Sequence, residues 1–74
     1  MKNKDQMIQD LIDTIEISYY TPTLDDGSLG NTIYTVYGGN RTSSAHRTID
    51  KAEEELNHRI HIIKKFPHYF LDGL

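Results

Sequence analysis

The chain reads as a small single α+β domain in the order α-β-β-(β)-α, with an antiparallel two- or three-stranded sheet packed against two helices. Three observations predict this. A segment near each end repeats apolar residues at helical spacing. Two runs of β-branched and aromatic residues lie between them. Clusters of Gly, Asn and Asp separate the runs. At 74 residues the sequence accommodates one domain, residues 1–74, with a core small enough that self-association or a partner is a common reinforcement.

Met7, Ile8, Leu11, Ile12 and Ile15 fall on one stripe of a helix. Asn3 and Gln6 have the spacing of a capping box, which starts that helix at Lys4 and carries it to about Thr14. Glu16 to Thr21 is the first strand, ended by Pro22, which has no N–H to donate. Leu24 to Asn31 contains Asp25-Asp26-Gly27-Ser28 and Gly30-Asn31, and reads as a turn-rich loop. Thr32 to Tyr37 is the second strand, broken by Gly38-Gly39-Asn40. The two strands form an antiparallel hairpin with a long loop.

Arg41 to Arg47 fits either a short third strand or an extended loop. Thr48 is a suitable N-cap for the last helix, because Asp50 then falls in its first turn. Acids (Asp50, Glu53, Glu54, Glu55) crowd the front of this segment and bases (His58, Arg59, His61, Lys64, Lys65) its back. That order complements the helix dipole from about Ile49 to Phe66, where Pro67 stops it. His68 to Leu74 is a short tail with apolar content. The expected core is Met7, Ile8, Leu11, Ile12, Ile15, Ile17, Val36, Ala52, Leu56, Ile60 and Ile63.

Composition narrows function. With no cysteine there is neither a disulfide framework nor a thiolate metal site. A net charge of −3 argues against general nucleic-acid binding, which uses a basic excess. No apolar run reaches membrane-spanning length, and the polar start Met1 to Gln6 does not read as a signal peptide. The expectation is a cytoplasmic protein, with the sequon Asn40-Arg41-Thr42 arising by chance. His58, His61 and Glu54 share a helix side, but nothing nearby completes a tetrahedral metal set. Ser43 or Ser44 with His46 and Asp50 supplies the residue types of a triad without its geometry. No enzyme activity, metal or cofactor is expected.

The candidate partner-binding residues are Tyr19, Tyr20, Tyr34 and Tyr37, because tyrosine offers a large contact area with a polar tip. Side chains alternate along a strand, so helices on one face leave at least two of these tyrosines on the other. Asp25 and Asp26 are candidates for mimicking phosphate charge toward a basic groove. Ile62 and Phe66, with the stem of Arg59, form a second apolar patch outside the main helical stripe. Either the tail covers that patch with Phe70 or Leu71, or a second copy or partner does. The alternative nucleic-acid contacts are Arg59, Lys64 and Lys65 at the basic helix end.

In its shortness, acidity, lack of cysteine and tyrosine-rich strands, the chain resembles small accessory proteins of phages and mobile elements, including anti-CRISPR-like inhibitors of host defence nucleases. That resemblance implies a non-enzymatic protein-binding module acting on a larger protein or nucleoprotein complex, by occlusion or acidic mimicry. The alternatives are a small nucleic-acid-binding regulator and a dimeric structural or adaptor protein.

Overall fold

The computed structural model describes residues 3–71. The elements run α1 (Lys4–Asp13), β1 (Glu16–Tyr20), β2 (Ile33–Gly38), β3 (Arg41–His46) and α2 (Ile49–Lys65), followed by one 3₁₀ turn over Pro67–Tyr69. The segment after Asn40 is therefore a strand. The sheet has three antiparallel strands in the order β1-β2-β3. Both helices are where the apolar stripes and caps place them, and this is a small α+β fold.

Local chemistry sets the helix ends. The Asn3 side chain accepts from the Gln6 N–H at 2.8 Å, satisfying a donor that the first turn leaves free. The Gln6 side chain does not complete the capping box; it donates forward to Asp10 Oδ1 at 2.8 Å. The Thr48 hydroxyl accepts from Lys51 N at 3.2 Å. Lys64 and Lys65 occupy the last turn of α2, where the dipole favours positive charge.

The β2–β3 connection is tight. Gly39 and Asn40 both have positive φ, 69° and 59°, the signature of a two-residue type I′ turn. Gly38 precedes them at φ 96° and lies so close to the end of α1 that a Cβ there would sit 2.0 Å from the Thr14 carbonyl oxygen. Thr14 locks the contact. Its hydroxyl donates to Leu11 O at 2.6 Å and accepts from Gly39 N at 2.9 Å. Between Val36↔Ser44 and Gly38↔Arg41 the register shifts. Thr42 and Ser43 together oppose Tyr37 there, a β-bulge in β3 that withdraws carbonyls from the ladder.

Ile15, Val36, Ala52 and Ile63 form the buried centre. Ile8, Leu11, Ile12, Ile17, Leu56 and Ile60 pack against it, as the stripes require, and Tyr34 and Phe70 join them. Met7 is half-buried and lies outside this cluster. The 3₁₀ turn folds the tail back, so that Asn40 Nδ2 donates to Phe70 O at 3.1 Å. The remainder of the apolar tail, including Leu74, and the first residues Met1 and Lys2 lie outside the described residues.

The expected position of Arg59 is overturned. Arg59 is not part of an exposed basic end; it is 1% exposed. Ala52, Leu56, Arg59 and Ile63 follow 4-3-4 spacing, so Arg59 sits on the core-facing stripe of α2. Its Nη1 donates to Gly38 O at 3.0 Å and its Nη2 to Thr42 O at 2.7 Å, the carbonyls flanking the bulge. Nη2 also reaches Ser44 Oγ at 3.3 Å. Nε pairs with Glu55 Oε1 at 2.9 Å, one turn back on the same helix. A buried cation is tolerated only when paired and hydrogen-bonded, and both conditions are met.

Two substitutions test this arrangement. Arg59→Ala strands two carbonyls and the Glu55 carboxylate, and is expected to cost about 3 kcal/mol. Gly38→Ala should cost several times what Gly27→Ala does, because Gly27 has a similar φ of 87° but open space around it. Urea unfolding followed by circular dichroism measures all three. An Arg59→Ala loss below about 1 kcal/mol would remove the bulge from the reasons for fold stability.

Candidate docking surface

Register sorts the sheet into two faces. Ile17 pairs with Val36 and Val36 with Ser44, while Tyr19 pairs with Tyr34 and Tyr34 with His46. The buried Val36 and the Arg59–Ser44 contact assign these residues to the helix side. Glu16, Ser18, Tyr20, Ile33, Thr35, Tyr37 and Ala45 alternate with them and form the open face. The four strand tyrosines thus divide evenly: Tyr19 and Tyr34 on the helix side, Tyr20 and Tyr37 on the open face.

Burial separates them further. Tyr34 packs against the core. Tyr37 lies over β1, its hydroxyl donating to Glu16 Oε2. That hydrogen bond, with some desolvation and the carboxylate charge, raises the Tyr37 pKa above its ordinary value of 10.0. Tyr19 and Tyr20 remain 76% and 65% exposed. They stand where the hairpin runs out past the helices.

Beyond them the chain does not form a loose loop. It continues as an ordered arm. The Thr21 and Thr32 hydroxyls bond at 2.7 Å. Gly30 N donates to Pro22 O at 2.8 Å, Thr23 bridges Leu29, and Leu24 N donates to Ser28 O at 2.7 Å. A turn closed by Gly27 N to Leu24 O at 2.9 Å forms the tip. Asp26 caps that turn by accepting from the Ser28 N–H at 2.9 Å and from the Ser28 hydroxyl. These bonds hold the Asp26 carboxyl below its usual pKa, the side-chain bond contributing most. At about 3.3 Å per residue, Asp25 reaches roughly 17 Å past Tyr20. The molecule is accordingly elongated, with extents of 54 × 21 × 15 Å and a radius of gyration of 15.6 Å, against roughly 11 Å for a compact domain of this length.

The arm carries apolar side chains into solvent on both sides. Tyr19 points to one side, Tyr20 and its pair Ile33 to the other, and Leu24 and Leu29 stand farther out. Leu29 is 70% exposed. Leu24, Leu29 and Ile33 were not among the residues singled out from sequence, because the surrounding Gly, Asp and Asn signal a turn. Their clue was the continued interleaving of apolar residues on either side of it.

The remaining candidates collect at the opposite end of α2. Ile62 is half-buried and Phe66 exposed. The Phe66 ring meets Tyr69 edge-on at 5.9 Å, Lys65 Nζ lies 5.4 Å over Phe66, and His68 stacks on Tyr69 at 5.1 Å. Lys64 and Lys65 are exposed there. On the helix side of the sheet, Ser44 Oγ lies 2.8 Å from His46 Nε2, a serine–histidine contact of the triad type. Among the described residues no carboxylate bonds the other ring nitrogen of His46. The Ser44 oxygen is already engaged by Arg59. No group of three metal-ligating side chains, no enclosed pocket and no helix long and apolar enough to cross a membrane occurs among the described residues.

Comparison with protein-family models, with curated proteins and with solved structures returned no match.

The Tyr37–Glu16 contact has a pH signature. Because folding raises the Tyr37 pKa, its contribution to stability is complete below about pH 10. It is lost as pH rises through the folded value. Glu16→Ala should shift the Tyr37 component of the tyrosine absorbance titration downward. An identical titration in the variant would mean the hydrogen bond is not formed in solution.

Proposed function

We propose that this chain is a non-enzymatic protein-binding module that docks by inserting its β1–β2 arm into a cleft of a larger protein. Occlusion of that cleft is its work, in the manner of a phage- or mobile-element-type inhibitor of a host defence nuclease complex. One observation carries the reading: the arm is ordered, yet Tyr19, Tyr20, Leu24, Leu29 and Ile33 are exposed along both of its sides. A two-stranded ribbon alone is at best marginally stable in water. One that is apolar on both sides buries its side chains only between two walls, which suits insertion better than lying on a flat surface.

Surface area supports a partner. The chain exposes 5565 Å², about 900 Å² more than the roughly 4,700 Å² of a compact protein of its mass. That excess is close to the ~800 Å² each side contributes to an ordinary protein–protein interface. Asp25 and Asp26 at the tip would meet basic side chains at the end of such a cleft, where phosphates of a nucleic acid otherwise lie. Occlusion and acidic mimicry then act through the same element.

The aromatic cluster beside Lys64 and Lys65 favours a second reading, a nucleic-acid contact combining charge with stacking on Tyr69 and Phe66. The net charge of −3 and the burial of Arg59 weigh against it.

Leu24→Asp with Leu29→Asp should abolish inhibition across a panel of purified defence nucleases that the native chain inhibits. Asp25→Asn with Asp26→Asn should weaken it and flatten its salt dependence. Inhibition of no nuclease in the panel would remove the inhibitor reading. A photo-crosslinker at position 29 that captures no protein would remove the docking reading itself. For the second reading, Lys64→Ala with Lys65→Ala should lower affinity for single-stranded DNA or RNA and reduce the salt slope. No mobility shift of the native chain at low salt would exclude it.

A further inference from the structure

β1 is an outer strand of the sheet, and four of its five residues are exposed. Outer strands of soluble proteins are ordinarily guarded by lysine, proline, a bulge or inward charge. β3, the opposite edge, has such guards: the bulge at Thr42 and Ser43, and Arg41 and His46 within it. β1 has none. Its sequence is Glu-Ile-Ser-Tyr-Tyr, regular and evenly paired to β2 along its whole length.

We propose that a second copy of this chain pairs with the first along β1, antiparallel, about a twofold axis at Ser18. The two three-stranded sheets then become one continuous sheet, with the open faces on the same side. Centring on Ser18 is the antiparallel register that pairs all five residues of the strand. It sets Ser18 against Ser18, Ile17 of each copy against Tyr19 of the other, and Glu16 of each against Tyr20 of the other. Glu16 is the single charge in β1, and this register keeps the two carboxylates at opposite ends of the ladder. Glu16 already accepts from the Tyr37 hydroxyl on its inner side. Tyr20 of the second copy presents the same group from its outer side, on the same face. On the helix side, exposed Tyr19 covers half-buried Ile17, an aromatic–β-branched pair of the kind that stabilises adjacent strands.

The arms then point in opposite directions, and their outer residues Leu24, Leu29, Asp25 and Asp26 stay free. The pairing shares Tyr19 and Tyr20 with the docking surface but does not depend on the arm entering a cleft.

Light scattering over a wide concentration series tests this without any partner. The mass should rise from 8.6 kDa toward twice that value. Ser18→Lys and Ser18→Glu, each with unchanged circular dichroism, should stay at the single-chain mass, since like charges oppose at the axis. Their equimolar mixture should regain the doubled mass. Leu24→Asp with Leu29→Asp should leave dimerisation intact, which separates this result from any failure of arm docking. Amide exchange supplies a second reading with no substitution, slowing in β1 but not in β3 as concentration rises. A native chain at single-chain mass throughout overturns the proposal. So does a doubled mass in Ser18→Lys alone, a mixture that stays monomeric, or loss of the dimer in the arm variant.

Discussion

The fold depends on a buried guanidinium. Arg59 projects from α2 into the point where β3 bulges, and its donors meet the Gly38 and Thr42 carbonyls there. Without it, burying that end of the sheet would strand acceptors in a low-dielectric interior, a cost of about 1–3 kcal/mol for each group. Glu55 supplies the counter-charge from the same helix, at 23% side-chain exposure. The pair is thus desolvated mainly on the arginine side. A hydrophobic residue at this position would pack on Val36 and Ile63 but would leave the bulge unsatisfied. The polar network also extends along the sheet through Ser44 to His46, tying the middle of α2 to the last strand.

This anchoring makes the molecule asymmetric. At the turn end, α1, the β2–β3 connection, α2 and the folded-back tail converge on Ile15, Gly39 and Ile63. Thr14 and Asn40 join them by hydrogen bonds over separations of 25 and 30 residues. Toward the other end the helices run out while the hairpin continues. Tyr34 is the last aromatic to reach the core, and its partner Tyr19 does not. The exposed apolar surface therefore results from two helices being shorter than the ribbon they cover.

Much of this was legible in the residues. The caps at Asn3 and Thr48 and the 3–4 spacing of the apolar stripes identified both helices. The β-branched runs around Ile17 and Val36 identified two strands, and alternation alone required at least two of the tyrosines on the open face. Arg59 was misplaced because its charge was weighed above its position, although its spacing from Ala52, Leu56 and Ile63 marks it as inward-facing. The arm was missed for a different reason. Gly27, Gly30, Asp25 and Asp26 announce a turn, and nothing local tells that Thr23 will pair with Leu29 or that Thr21 and Thr32 will bond. The third strand, with its Thr, Ser and Ala, has too few apolar residues to show an alternation. It is a strand because the type I′ turn returns it to β2 and because Arg59 holds its bulge.

The Arg59 contacts also bear on the order in which the chain gains structure. They join groups 17 and 21 residues apart, all within the contiguous stretch from β2 to α2. Closing short loops costs less entropy than closing long ones, and local contacts form fastest. The segment from Ile33 to Lys65 is thus a hairpin and a helix stitched together by one side chain, and the β1–β2 hairpin, closed at its tip by contacts three to eight residues apart, is at least as local. The Thr14–Gly39 hydrogen bond spans 25 residues, a longer loop than any of these, so joining the end of α1 to the turn is the costliest of these closures.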